Sequence, residues 1–414
     1  MIIIVGAGLA GLACATRLEQ AGAEWLLLEG ASGPGGRVLT EVTAEGYRLD
    51  RGFQVLLDSY PTAAQLLDFE ALQPRYFQSG ALLANGIERE VLLNPLRHPE
   101  GMTGALFSKA FTLREKAIIA AYAALQLMQP DEVLLGAELG RSTMEEVRRL
   151  GLEGAMLEKF LRPFFAGVFL DDELGTDASI FRYDLKKFAL GRALLPAGGI
   201  GEIPKQLASR LPSSRQRYGT EVLSLERSAD GVSALHLGGG ERLVCDHVVL
   251  ATDEPSTRRL LGLPEQGNRE WSQVTTLYFT GDHPLYEGAL LVLPPGKRRL
   301  VRHFVDLTNI APEYAPEGKR LLSATILNSP EGDLVPQARI EIEAIFPSFT
   351  DWKFLKEVRT RHALPSQVPG FHGRMMSYRQ GRNLWLAGDQ VSHASIDSAL
   401  ASGLKAADEV LDSL

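Results

Sequence analysis

The stretch Met1-Ile2-Ile3-Ile4-Val5-Gly6-Ala7-Gly8-Leu9-Ala10-Gly11 opens the chain with a β-branched run that stops at a glycine. Four consecutive apolar residues, Ile2 to Val5, have the pattern of a parallel strand buried on both faces. Gly6, Gly8 and Gly11 form G-x-G-x-x-G, and apolar residues recur at helical spacing from Leu9 to Ala21. The glycines therefore sit on a strand-to-helix turn, the context in which this motif binds a dinucleotide. Gly6 is read as making the tight turn, Gly8 as letting the backbone approach a pyrophosphate, and Gly11 as letting helix and strand pack closely. The free N–H groups of the helix start face the phosphates.

Outward from the turn, Trp25-Leu26-Leu27-Leu28 reads as the second strand and ends in Glu29, 18 positions beyond Gly11. That offset is close to the roughly 20 residues expected of an acidic ribose ligand, and its carboxylate repels a 2′-phosphate. An NAD-only domain would continue with a third strand-helix unit. Here Gly33-Pro34-Gly35-Gly36-Arg37 follows, a glycine-rich loop closing on a guanidinium able to hold a pyrophosphate through paired hydrogen bonds.

With G-x-G-x-x-G, Glu29 and Gly35-Gly36-Arg37 in this order, the chain resembles the flavin-dependent amine oxidase superfamily, which includes phytoene desaturase-like enzymes and protoporphyrinogen oxidases. The resemblance implies an α/β fold: a Rossmann-like FAD-binding domain of the GR2 type, discontinuous in sequence, with an inserted α+β substrate domain. It implies FAD bound in an extended, non-covalent form. The FAD-binding domain is expected over residues 1–58, 193–258 and 372–414, and the substrate domain over 59–192 and 259–371.

The resemblance continues at five further places. Asp50-Arg51-Gly52-Phe53-Gln54, after a hairpin from Thr40 to Tyr47, is similar to an Asp-x-Gly segment that passes beside the flavin ring. Its plainer reading is a turn that begins the next domain; on the resemblance Gly52 helps to bind the cofactor, and Phe53 and Gln54 lie nearest the flavin. Pro196-Ala197-Gly198-Gly199-Ile200 matches the family's return to the flavin domain, and Val222 matches a strand position whose backbone touches the adenine. Gly388-Asp389 matches a contact to the ribityl-phosphate side. Ile396 matches a helix start whose N–H meets the pyrimidine edge of the ring. Ser398 departs from the glycine usual there. His393, four residues after Asp389, is a candidate near the ring or a structural hydrogen-bonding group.

From Ser59 to about Gly191 the sequence reads as mostly helical, interrupted at Pro95, Pro99 and Pro130, with a helix start at Ser142-Thr143-Met144-Glu145-Glu146. Phe160, Phe164, Phe165 and Phe169 form either plain core or the wall of an apolar tunnel. Strands are expected from Glu221 to Glu226, Val232 to Leu237 and Leu243 to Thr252. From Glu254 to about Gly370 alternating runs such as Thr275 to Phe279 and Leu300 to Val305 suggest a mixed sheet. Lys297-Arg298-Arg299 with Arg302 reads most simply as a solvated hairpin.

Bulk properties narrow the classes. A length of 414 residues suits two or three domains, and 45% hydrophobic with 23% charged residues is ordinary for a globular protein. With 43 basic against 51 acidic residues, the net charge of -8 and the lack of a basic block disfavour nucleic acid. Cys14 and Cys245 form no C-x-x-C, and the eight histidines show no metal-ligand spacing, so no metal is expected. A strand beginning at Ile2 leaves no room for a targeting peptide, which makes a cytoplasmic location the expectation. The nearest approach to a membrane span, Ala117 to Met128, is too short; it reads as a buried helix, with peripheral docking on a bilayer as the alternative.

The desaturase resemblance implies hydride transfer to flavin N5 from an apolar, isoprenoid-like small molecule, with no side-chain base strictly required. The positive end of the last helix would stabilise charge developing on the ring. The strand Val274 to Phe279 lacks the lysine found in many amine oxidases, which places amine or protoporphyrinogen oxidation second. A flavin-assisted isomerisation without net oxidation is the alternative of another class. A nicotinamide protein without flavin is the remaining one, and Arg37 and the C-terminal motif oppose it.

Overall fold

The computed structural model describes residues 1–414 apart from 86–87, 95–96, 98–109, 229–230, 265–269 and 297–298. Ile2–Val5 is the middle strand of a five-stranded, all-parallel sheet in the order Gln216–Arg217, Trp25–Leu28, Ile2–Val5, His247–Leu250, Leu384–Leu386. Its alternating side chains serve two cores. Ile2 and Ile4 pack with Leu12, Ala13, Leu400 and Ala407 of the helices Leu9–Gln20 and Ile396–Leu411. Ile3 and Val5 pack with Val222, Val232 and Leu235 of a three-stranded antiparallel sheet on the opposite face. Both faces are covered, which is why the strand is apolar at every position. The two helices touch at backbone distance: a Cβ on Gly403 would lie 2.0 Å from the Ala10 carbonyl oxygen.

The run from Leu243 to Thr252 is not one strand. Arg242–Val244 closes the antiparallel sheet, whereas His247–Leu250 enters the parallel one. Between them Cys245 donates its N–H to Ser233 and Asp246 donates its N–H to Met1, so the chain changes layer within two residues. Both halves are apolar enough for a strand, so composition carries no sign of the switch.

A second, seven-stranded mixed sheet runs in the order Lys353–Pro365, Trp271–Gly281, Arg320–Leu327, Val301–Asp306, Leu291–Leu293, Gly80–Asn85, Glu88–Leu93. The last two strands, with Pro74–Tyr76, lie in the segment read as mostly helical. Gly80–Asn85 is rich in Ala and Leu, yet it pairs in parallel with Leu291–Leu293, some two hundred residues away; tertiary pairing overrides local propensity there. Helices fill most of the rest of that segment, and Ser142 starts one of them with a reciprocal capping box to Glu145. Pro95 and Pro99 lie outside the described residues.

Two further expectations are corrected. The helix Leu113–Leu127 is not buried: only Glu115, Tyr122 and Gln126 are, while Leu113, Leu125 and Met128 are 70%, 59% and 80% exposed. Its inward stripe is polar and satisfied internally, the Tyr122 hydroxyl donating to the buried Glu146 carboxylate at 2.8 Å. Arg302 is not solvated. It is 3% exposed and ion-paired with Asp172 at 2.7 Å; Lys297 and Arg298 lie outside the described residues. Among the aromatics, Phe165 and Phe169 are core, and Phe164 packs edge-on to Phe188.

Candidate active site

The three glycines of the first turn occupy three different environments. Gly6 has φ +106°, and a Cβ there would approach the Ala251 carbonyl oxygen to 2.7 Å. On Gly11 a Cβ would lie 1.9 Å from the Gly6 carbonyl oxygen, so only glycine lets the helix close on the turn. Gly8 is the reverse: its φ is an ordinary -74°, and nothing lies within 4 Å of where its Cβ would be. Gly8 is also the N-cap of Leu9–Gln20, and no side chain caps that helix. An uncapped helix start beside open space is an anion-accepting surface.

Glu29 stands at the mouth of this turn. Its carboxylate accepts the N–H groups of Ala7 at 2.7 Å and Ala31 at 2.8 Å, leaving further lone pairs for a diol. Its backbone bonds Arg217 and Thr220, which brings Val222 to the same end of the sheet. The Gly33–Arg37 loop folds back over the turn: Gly35 N–H donates to the Ala7 carbonyl at 2.9 Å, and Gly36, at φ +62°, faces the Gly8 Cα.

Arg37 joins the two ends of the chain. Its Nη1 lies 2.5 Å from an Asp389 carboxylate oxygen and donates to the Ala363 carbonyl at 3.0 Å. Gln54 donates to the Arg37 carbonyl at 3.0 Å, so the Asp50–Gln54 segment is tied to the same loop. Gly52, at φ +93°, faces Val274 on the seven-stranded sheet, and Phe53 packs edge-on to Phe77 and His303. Gly388, at φ +113°, donates its N–H to Ser402 at 2.9 Å.

Ser395 caps the final helix by accepting the Ser398 N–H at 3.0 Å, directly before Ile396. Ser398, at the position where glycine is usual, is 6% exposed and bonds His393 Nδ1 at 3.0 Å. His393 Nε2 lies 3.3 Å from Ser395, and its ring packs against Tyr183. Burial pulls this imidazole down to about 4, with Asp389 opposing, so it is neutral near pH 7.

The sequence reading missed the structural role of Asp50 and missed His303 altogether. Asp50 is a buried tie between layers: its carboxylate accepts from Thr40 at 2.5 Å, Tyr314 at 2.8 Å and Ile200 N–H at 3.1 Å, and its carbonyl accepts from Tyr278 at 2.7 Å. Burial raises it to about 6 against those hydrogen bonds. His303 lies on the seven-stranded sheet, 5.3 Å from the Phe53 ring. A histidine within an apolar strand was the available signal, but its neighbour across the layers was not.

Among the described residues no group of three or more potential ligands could hold a metal, and no helix is long and apolar enough to cross a membrane.

A family model described as flavin containing amine oxidoreductase matches residues 9–411. Phytoene dehydrogenase of Streptomyces griseus is 30% identical over 292 residues, covering 63% of this chain and 56% of that protein. Hydroxyneurosporene desaturase of Cereibacter sphaeroides is 27% identical over 281 residues, covering 61% and 56%. The chain thus spans about half the length of these curated relatives. The crystal structure of an oxidoreductase from Methanosarcina mazei superposes with a TM-score of 0.76 at 18% identity, covering 99% of both chains, a likeness of fold.

Proposed function

Because the chain belongs to the flavin-containing amine oxidoreductase family, we propose that it is an FAD-dependent oxidoreductase that dehydrogenates an apolar, isoprenoid-like small molecule. The observation that carries this reading is the meeting of four distant segments at one place: the uncapped helix start at Gly8, the Glu29 carboxylate, the Arg37–Asp389 pair and the Gly52–Gln54 segment. Residues 1–58, 193–258 and 372–414 are assigned to the cofactor lobe, and 59–192 and 259–371 to the substrate lobe.

The donor set fits FAD. Gly8 and the N–H groups that follow it bind the pyrophosphate, Arg37 adds charge from the facing loop, and Glu29 orients the ribose hydroxyls. Val222 borders the adenine through its backbone. Gly388 and Asp389 hold the ribityl-phosphate side. Gly6 and Gly11 let the turn close by carrying no Cβ, and Gly36 and Gly52 take the positive φ that their cofactor-facing loops require. Bound FAD supplies a two-electron acceptor for hydride leaving a substrate carbon. The start of the Ile396–Leu411 helix would supply positive dipole to charge developing on a bound flavin, and Phe53 would help to exclude water from the site. Neither Cys14 nor Cys245 lies in the Gly388–Ile396 segment, and both are buried, which favours a non-covalent flavin.

Desaturation is preferred to amine oxidation because Trp271–Gly281, the strand facing Gly52, carries no lysine. Its matched relatives act, by name, on phytoene and hydroxyneurosporene. The test is the visible spectrum of the purified protein, then anaerobic titration with polyenes, porphyrinogens and amines. A yellow protein bleached by a polyene alone is the expected result. Bleaching by amines or porphyrinogens transfers the assignment to those oxidations, and a colourless protein that takes up no FAD removes the cofactor assignment.

A further inference from the structure

Thr276, Thr325 and His303 stand side by side on three adjacent strands of the seven-stranded sheet. Thr276 is directly opposite Thr325, and Thr325 directly opposite His303. Direct cross-strand partners share a face, so the three side chains form one rung. That face is turned toward the proposed flavin site. Val274, two residues before Thr276 and on the same side, meets Gly52, and the His303 ring packs on Phe53.

The rung is buried and unpaired within the protein. Exposures are 0% for Thr276, 2% for Thr325 and 3% for His303, yet neither hydroxyl and neither ring nitrogen has a hydrogen-bond partner. The great majority of buried side-chain polar atoms are paired, because leaving one unpaired destabilises the fold. Three such residues in a single rung, beside the segment nearest the cofactor, are better understood as awaiting a partner that is not protein. The rung carries no net charge: burial and the adjacent Arg302 guanidinium pull His303 down to about 3. Ammonium or carboxylate groups would be desolvated there without a counter-charge.

Resting on the desaturase-like reading above, we infer that Thr276, Thr325 and His303 form a hydrogen-bonding subsite for one uncharged oxygen function, a hydroxyl or carbonyl, on an otherwise apolar substrate. The two hydroxyls and the neutral imidazole can both donate and accept, so either group is served. A pure hydrocarbon bound there would leave the rung unpaired.

The experiment uses FAD-loaded protein and two probes of equal chain length, a polyene hydrocarbon and its monohydroxylated counterpart. Binding is read from perturbation of the flavin absorption under anaerobic conditions. Wild type should bind the alcohol at least tenfold more tightly, and Thr325→Val should bring the two within twofold without weakening the hydrocarbon. Thermal unfolding of the ligand-free Thr276→Val and Thr325→Val proteins supplies a second readout. The melting temperature should hold or rise, because an unpaired hydroxyl gives way to a methyl group of similar shape. Equal binding of both probes by wild type, or a preference surviving both valine substitutions, overturns the subsite and leaves the apolar-substrate reading standing. Failure of both probes to perturb the flavin overturns that reading and the subsite together.

Discussion

The Gly6–Gly11 turn and the Thr276–Thr325–His303 rung lie in two layers that meet around Gly52 and Phe53, and they are made of opposite materials. On the function proposed above the turn works through backbone N–H groups, and its residues matter for the side chains they lack. The rung consists of side chains, brought together by strand pairing across 49 residues of sequence. A site of backbone is written locally and survives as spacing; a site of side chains is written only in the register of a sheet.

The largest expected effect separates two glycines within the turn. Gly11→Ala drives a Cβ into the Gly6 carbonyl and should lower unfolding free energy by about 4 kcal/mol. Gly8→Ala has open space and should change stability by less than about 0.5 kcal/mol while weakening FAD retention more than tenfold. Denaturant titrations and flavin binding on both variants check this. Equal unfolding of the two would mean that Gly8 is packing, not a phosphate approach.

Arg37→Ala tests the seam between the first loop and the C-terminal motif. Flavin affinity should fall about a hundredfold, or about 2.7 kcal/mol. The apo protein should also lose stability, because Asp389, only 5% exposed, loses its ion-pair partner. Unchanged flavin retention with reduced stability would make Arg37 a structural tie and place the pyrophosphate elsewhere.

Asp50 belongs to both regions, reaching Thr40 and Ile200 on one side and Tyr278 and Tyr314 on the other. Its folded value of about 6 exceeds the ordinary 3.8, so the folded state binds the proton more tightly. The resulting stabilisation is complete below about pH 4 and is lost as pH rises to about 6, on the order of 2–3 kcal/mol. The wild type minus Asp50→Asn stability profile should therefore decline across that window. A flat difference would show that Asp50 titrates as it does in the unfolded chain.

The smallest effect probes the rung. A Cβ on Gly167 would sit 2.4 Å from His303 Nδ1, so Gly167→Ala should cost about 1–2 kcal/mol by pushing the ring aside. A double-mutant cycle with His303→Ala should recover most of the loss. No recovery would place the strain in the backbone of the Arg162–Phe169 helix instead.

What could be read beforehand follows the same division. Gly6, Gly8, Gly11, Glu29 and Arg37 fall within 37 residues, and steric rules for glycine suffice to order them. The middle strand was legible because burial on both faces leaves no polar position. His303 was not, since its meaning comes from Thr325 and Phe53. Gly80–Asn85 was misread for the same reason, its partner being Leu291–Leu293. The Leu113–Leu127 helix was misjudged because apolar residues surround it, and the buried bonds of Tyr122 to Glu146 and of Glu115 to Met156 mark the side that turns in. Arg302 looked like part of a surface charge cluster until Asp172 arrived from another segment.

The order of strands has a consequence for the birth of the protein. During synthesis Ile2–Val5 is followed by its neighbour His247–Leu250 about 240 residues later. At the usual pace of translation that is a wait of about 12 to 50 s. Throughout it, one edge of four apolar residues has no partner to pair with. The keystone of the sheet is thus also an aggregation hazard during synthesis, and a nascent chain of this design gains from a chaperone that holds Ile2–Val5 until His247–Leu250 has been made.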